Sequence, residues 1–198
     1  MFSLISSSLS SAVSRFLTFE LGRGDKERLG RAFSTSLLIH IVLAIVVFIV
    51  AETVGIWFVN NKMTIPSDRL YAANWVFQAS ILSFMFGLFS VPYNASIVSH
   101  ERMSAFAYIG ILDTTLRLCV VLFIAYSSFQ FDKLIVYSML LVAVSISLQC
   151  IYLIYCRKHF EECRLKISFD KEFWKEISSF SLWNFIGCTA GILKDQGV

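Results

Sequence analysis

Residues 39–50 have the sequence IHIVLAIVVFIV, an almost unbroken aliphatic run that decides the class of fold. A helix needs roughly 20 residues, at ~1.5 Å each, to cross a bilayer core of ~30 Å. The wider segment 36–59 is long enough to do so with some tilt. Its apolar residues form a block rather than one helical stripe, which indicates lipid rather than water as the surroundings. The sequence therefore predicts a transmembrane helix here.

The composition of the whole chain agrees with a membrane environment. Hydrophobic residues make up 57% of the 198 residues and charged residues only 16%, with a mean hydropathy of +0.69. A soluble domain carries about a quarter charged residues and needs them to cover its surface. The net charge of +3 is too small to indicate a nucleic-acid partner. These values exclude an ordinary soluble domain and favour membrane lipid as the main partner.

Five further blocks have the length and composition of membrane spans. Together with residues 36–59 they give six predicted spans, at 2–19, 36–59, 74–98, 105–126, 134–155 and from 177 to the end of the chain. The expected fold is therefore an all-α polytopic membrane protein. Residues 1–155 would hold five spans, 156–176 a basic linker, and 177–198 the start of a further helix.

The distribution of lysine and arginine predicts the orientation of these spans. Eleven lysine and arginine residues lie in alternate loops, at 20–35, 99–104 and 156–176, whereas the opposite loops hold only Lys62, Arg69 and Lys133. By the positive-inside rule the three basic loops are cytoplasmic. The span at 2–19 would then begin outside the cytoplasm, and the last span is unfinished at Val198. We therefore expect the chain to be part of a longer protein, truncated at both ends.

Glycine and proline mark some of the predicted boundaries. Gly22 and Gly24 suit a left-handed helix C-cap after the first span, in preference to a phosphate-binding loop, whose spacing is absent. Pro92 lies inside the third span and is expected to kink or break it.

Ionisable side chains inside spans are costly and are therefore the first candidates for function. Arg15 lies ~7 Å inside the first span by helical rise, where snorkelling to lipid phosphates is an equally good interpretation. Asp113 and Arg117 are four residues apart, so an ion pair within one helix is the simplest explanation for both. The remaining candidates are Glu52, Lys194 and Asp195.

No catalytic, cofactor or metal-binding motif occurs in the sequence. It lacks a nucleophile elbow, an H-E-x-x-H site, a Walker loop and a haem pair. The five cysteines form no C-x-x-C pair and have no histidine at metal-ligand spacing, so we expect neither a disulfide nor zinc. The sequence therefore favours a protein that is not an enzyme and has no cofactor.

Three stretches resemble a known family. Residues 14–25, SRFLTFELGRGD, are similar to the end of the second helix of bacterial O-antigen and polysaccharide flippases. Residues 91–95, VPYNA, followed by HERMSAFAY at 100–108, resemble their fourth-to-fifth helix junction. SFSLWN at 179–184 resembles the entry to their seventh helix. These flippases belong to the multidrug/oligosaccharidyl-lipid/polysaccharide transporter superfamily.

The resemblance implies a specific architecture and mechanism. Such proteins have two helical lobes, and the first five predicted spans would correspond to helices two to six, in the bacterial inner membrane. A cavity between the lobes would take up an undecaprenyl-diphosphate-linked oligosaccharide and release it outside by alternating access. Cationic residues would hold the diphosphate: Arg15 first, because it lies in a matching motif, then Arg117 and Lys194. Asp113, Glu52 or Asp195 would couple transport to H⁺ or Na⁺.

Three alternatives remain open at the level of sequence. A cation-coupled multidrug antiporter of the same superfamily would favour acidic over basic cavity residues. A membrane-embedded glycosyl- or acyltransferase would need a paired carboxylate or a His-Asp motif, which the sequence lacks. The isolated piece could also have no activity of its own.

Overall fold

The computed structural model describes residues 2–66, 69–126, 132–163, 173–175, 179 and 183, with residues 2–9 as backbone alone. These residues are almost entirely helical and contain no β-strand. The principal helices are α1 (Phe2–Arg23), α2 (Lys26–Val50), α3 (Ile56–Asn61), α4 (Leu70–Ser99), α5 (Met103–Tyr126) and α6 (Lys133–His159). A π-helical turn, Ala51–Gly55, joins α2 to α3, and a short 3₁₀ turn, Glu161–Cys163, follows α6.

Four helical segments are long and apolar enough to cross a membrane. They are Lys26–Asn61, Leu70–Ser99, Met103–Tyr126 and Lys133–His159. These segments contain the predicted spans at 36–59, 74–98, 105–126 and 134–155, which are therefore helices of the required length and apolarity. Helix α1 has sufficient length, but its serine-rich sequence leaves it outside this set. The predicted span from 177 onward lies almost wholly outside the described residues, so the count of six spans stays a prediction.

The apolar surface of these segments is largely left uncovered by the protein. On α5, Tyr108 is 73% exposed, Ile111 62% and Leu118 57%. Contiguous apolar surface of this kind is unfavourable in water but is the normal surface of a helix in lipid. The exposure pattern therefore fits a multi-pass membrane protein.

A glycine ends α1 and an aspartate begins α2. Gly24 has a φ of +76°, a left-handed conformation that an L side chain rarely adopts, and its N–H donates to the Leu21 carbonyl at 3.1 Å. The predicted C-cap is thus confirmed at Gly24. Asp25 follows directly, and its Oδ1 accepts the backbone N–H of Glu27 at 3.1 Å and of Arg28 at 3.0 Å. This N-cap starts α2 at Lys26, ten residues before the predicted start of the span.

Pro92 does not interrupt the helix in which it lies. Helix α4 runs from Leu70 to Ser99 with Pro92 inside it. The predicted break at Pro92 is therefore wrong. The other predicted outcome, a kink in the helix, stays a prediction. A membrane helix tolerates proline because neighbouring groups satisfy the freed backbone carbonyl.

The chain divides into two compact units. Unit 1 comprises Met1–Ile41, Phe89–Phe106 and Tyr152–Val198, and unit 2 comprises Val42–Leu88 and Ala107–Ile151. All of the described residues in the three loops expected to be cytoplasmic belong to unit 1. Lys62, Arg69 and Lys133, from the loops expected outside, belong to unit 2.

Unit 1 has a core of well-buried side chains from four helices. Leu17 of α1, Phe33 of α2, Ile97 of α4 and Cys156 of α6 are at most 1% exposed. The ring of Phe33 meets that of Tyr93 edge to face, with centroids 5.4 Å apart. Burying an aromatic side chain such as Phe33 contributes about 1.5–3 kcal/mol. This packing fixes α1, α2 and α4 around the site described below.

Unit 2 is held by close packing and by polar contacts near its loops. Gly55 lies directly against the ring of Phe77, leaving no room for a side chain at this position. Arg69 Nη1 donates to Asp132 Oδ2 at 3.1 Å, which ties the segment before α4 to the segment before α6.

Candidate functional site

Unit 1 contains a cavity of about 1120 Å³ along α1. Binding sites for small ligands usually measure roughly 300–1,000 Å³, so this cavity has room for a ligand larger than a single sugar. Among the described residues, helix α1 supplies most of the lining, the start of α2 and one turn of α4 supply part of it, and Phe173 is a further lining residue. The lining residues are Ser10, Ser11, Ser14, Arg15, Phe16, Thr18, Phe19, Glu20, Arg23, Arg28, Ala95, Val98 and Phe173.

The polar side chains on the α1 wall follow helical spacing. Ser11, Ser14, Arg15 and Thr18 lie at intervals of three and four residues, which places them on one face of the helix. The serine and threonine hydroxyls on this face are hydrogen-bond donors and acceptors in the lining of the cavity.

Three arginines give the cavity its charge. Arg15 and Arg23 come from α1, while Arg28 comes from the first turns of α2. Gly24 and Asp25 make this arrangement possible, because the left-handed turn and the N-cap bring α2 back beside the end of α1. The N–H of Arg28 donates to the Asp25 carboxylate and is the largest of the effects that lower the pKa of that carboxyl below its usual 3.8.

Glu20 is the one acidic residue among the described residues that line this cavity. Its side chain is only 5% exposed, and its Oε1 lies 3.7 Å from Nη1 of Arg23. The Arg23 guanidinium also lies over the ring of Phe19, 5.2 Å from its centroid. The second carboxylate oxygen of Glu20, Oε2, is buried and has no hydrogen-bond partner among the described residues. Glu20 thus presents an unused acceptor in a cavity dominated by cations.

A second polar cluster holds the 3₁₀ turn after α6 against α4. Glu162 Oε1 accepts the hydroxyl of Ser96 at 3.2 Å and lies 3.3 Å from Nε2 of His100. The imidazole of His100 stacks on Phe160, with ring centroids 4.2 Å apart. We call these four residues the linker clasp. Ala95 and Val98, on the same turns of α4, line the cavity, so one helix contributes both to the cavity and to the clasp.

The sequence-predicted site residues do not all lie together. Arg15 lines the cavity, and its role as a substrate-binding residue stays a prediction. Asp113 and Arg117 form the predicted intrahelical pair in unit 2, with Arg117 Nε donating to Asp113 Oδ1 at 2.6 Å. Glu52 is in the π-helical turn of unit 2 and is not part of this cavity.

The other two predicted site residues, Lys194 and Asp195, lie outside the described residues.

Sequence reasoning missed three charged residues of the cavity: Glu20, Arg23 and Arg28. It assigned the two arginines to a cytoplasmic loop and counted them only for topology. The sequence nevertheless contained a signal for Arg23. This residue is eight positions after Arg15 and hence near the same helical face, and the helix continues past the predicted span to Arg23. Glu20 lies within the motif at 14–25 without having been given a role.

The chain matches no known family model, no curated protein and no solved structure. The resemblance to polysaccharide flippases therefore stays a prediction, and the geometry of the cavity is the basis for the proposed function.

Proposed function

We propose that this chain forms part of a bacterial inner-membrane transporter that moves undecaprenyl-diphosphate-linked oligosaccharides by alternating access. The observation that carries the proposal is the cavity of unit 1, in which Arg15, Arg23 and Arg28 meet four hydroxyl-bearing residues. Four helices able to cross a membrane supply the setting in which a lipid-linked substrate is encountered.

The chemistry of the lining fits a diphosphate joined to a sugar. Guanidinium groups bind phosphate oxygens through paired, charge-assisted hydrogen bonds, and they stay charged at any physiological pH. Ser10, Ser11, Ser14 and Thr18 add neutral hydroxyls, which exchange hydrogen bonds with sugar hydroxyls. The wall therefore combines groups for both halves of the polar headgroup, while the polyprenyl tail would stay in the bilayer.

The proposal includes the wider architecture implied by the resemblance. It comprises six spans within residues 1–198, a basic linker at 156–176 and a further lobe that begins with residues 177–198. In this arrangement the cavity faces the cytoplasm, since Arg23 and Arg28 come from the loop predicted to be cytoplasmic by the positive-inside rule. Arg117 keeps a secondary place in the proposal, because it is not among the described residues that line the cavity of unit 1. Lys194, which lies outside the described residues, stays a secondary candidate.

A cation-coupled multidrug antiporter is the second candidate, and Glu20 is the observation in its favour. A buried carboxylate in a cavity is the type of group that binds a cationic drug or a proton. Three arginines line the same cavity, however, and their field opposes the entry of an organic cation. The balance of charge therefore favours an anionic substrate.

Complementation tests the proposed function. The whole transporter to which we assign this chain, expressed in a strain that lacks its own flippase, should restore surface polysaccharide. Arg15→Gln should reduce that polysaccharide at least tenfold while the amount of protein in the membrane stays the same. Arg102→Gln is the matched control, because Arg102 is an exposed arginine of unit 1 that does not line the cavity. Equal polysaccharide from Arg15→Gln and wild type would remove Arg15 from the site, and no restoration by the wild type would refute the transport function.

A further inference from the structure

Glu20 is a buried carboxylate whose hydrogen bonding is incomplete. Its side chain is 5% exposed, and Oε2 has no partner in the part of the chain that the structure describes. An unsatisfied buried polar atom is rare because its lost hydration is not replaced, and a carboxylate is costlier still. Arg23 offsets part of this cost through Oε1, at a distance of 3.7 Å that is too long for a hydrogen bond. Oε2 is therefore an unsatisfied acceptor on a residue that lines the cavity, and a small movement of the side chain would bring it to a donor there.

The charge of Glu20 restricts what that donor can be. A carboxylate accepts hydrogen bonds only, so it repels phosphate oxygens and binds hydroxyl, amide N–H or ammonium groups. The arginines have the opposite preference. The α1 wall thus carries two kinds of group, Arg15 and Arg23 for an anion and Glu20 for a donor, within roughly two helical turns.

We infer that Oε2 of Glu20 binds a hydroxyl or amide N–H of the sugar that is attached to the diphosphate, and that it thereby distinguishes the loaded carrier lipid from the bare one. This inference rests on the proposed function. A bare polyprenyl diphosphate offers phosphate oxygens but no sugar donor, so it would leave Oε2 unsatisfied. A site that leaves a buried polar group unpaired rejects the incomplete ligand strongly.

Two probes separate the sugar contact from the phosphate contact. Farnesyl diphosphate carries the anion alone, and farnesyl-diphosphate-linked N-acetylglucosamine carries the anion and the donor groups. Their dissociation constants are measured with the whole 198-residue chain in lipid nanodiscs. Wild-type protein should bind the sugar-bearing probe about tenfold or more tightly than the bare one, the size expected for one hydrogen bond to a charged group.

Glu20→Gln should weaken this preference, because an uncharged amide oxygen accepts a weaker hydrogen bond than a carboxylate. The affinity for the sugar-bearing probe should fall about tenfold, whereas that for farnesyl diphosphate should stay the same or rise, because a like charge is removed. Glu20→Asp keeps the carboxylate on a shorter side chain and should retain part of the preference; it serves as the test variant if Glu20→Gln does not fold. Glu27→Gln is the matched control, since Glu27 is an exposed carboxylate of α2 that does not line the cavity.

The possible failures point to different errors. An unchanged preference in Glu20→Gln, or an equal loss for both probes, would overturn the role of Glu20 and leave diphosphate binding intact. If wild-type protein bound neither probe, the proposed function would fail together with this inference. If Glu20→Gln instead abolished binding of a lipophilic ammonium ion and left the sugar preference unchanged, the inference would be wrong and the antiporter alternative would gain support.

Discussion

Removing the carboxylate of Glu162 should release the linker clasp. Glu162→Ala deletes two contacts of one buried oxygen, the hydrogen bond from Ser96 at 3.2 Å and the pairing with His100 at 3.3 Å. A hydrogen bond to a charged group contributes about 1.5–3 kcal/mol, and because the Ser96 bond is long the lower value applies to it. The clasp should therefore lose ~1.5 kcal/mol from this bond, which raises the population of its open form roughly tenfold.

Hydrogen exchange measures this opening directly. Amide exchange at residues 160–163, followed by mass spectrometry in detergent or nanodiscs, reports the free energy of local opening. Glu162→Ala should accelerate exchange there about tenfold, while exchange in α5 stays unchanged.

The neighbouring glutamate provides the control for the clasp. Glu161 pairs with Lys26 at 2.9 Å, but both side chains are more than two-thirds exposed, so their ion pair is weakened by solvent. Glu161→Ala should change the exchange rates very little. Similar acceleration in Glu161→Ala and Glu162→Ala, or less than about threefold acceleration in Glu162→Ala, would contradict the role given to the clasp.

Two further predictions concern unit 2 and the start of α2. Gly55→Ala places a Cβ against the ring of Phe77 and should lower the free energy of unfolding by about 1–3 kcal/mol. Gly110→Ala, which has open space around it, is the control and should be neutral or stabilising. Equal denaturation midpoints for the two variants would refute this packing. The pKa of Asp25 is lowered on folding, so its charged N-cap should persist above about pH 4 and be lost only as the pH falls through the pKa of the folded state. Amide exchange at residues 27–31 measures the loss of this cap. Exchange there that accelerates already at about pH 6 would contradict the prediction.

The transmembrane part of the fold could be predicted from the sequence because hydropathy reports the length of chain in lipid. It does not report where a helix ends, since polar residues can extend a helix into water. Helix α2 accordingly starts at Lys26, where the Asp25 cap acts, and α6 continues to His159 beyond the predicted end of its span. The Asp113–Arg117 pair was predictable because i,i+4 spacing alone brings the two side chains together.

The candidate site was predictable only in part. Arg15 could be selected because a charge inside an apolar span is conspicuous. Arg23 and Arg28 could not, because hydropathy assigned them to a loop and their meeting depends on the left-handed turn at Gly24. The burial of Glu20 depends on packing between α1 and other parts of unit 1, which no local pattern records. The clasp likewise joins residues more than sixty positions apart.

The affinity of the protein for a lipid diphosphate tests the central claim most directly. Farnesyl diphosphate should bind to the wild-type chain in nanodiscs, and Arg15→Gln and Arg23→Gln should each weaken binding about tenfold, the effect of losing one charge-assisted hydrogen bond. Arg102→Gln, which leaves the cavity intact, should keep the wild-type affinity to within about twofold. Equal affinities for the wild type and both cavity variants would contradict a phosphate-binding role for these arginines.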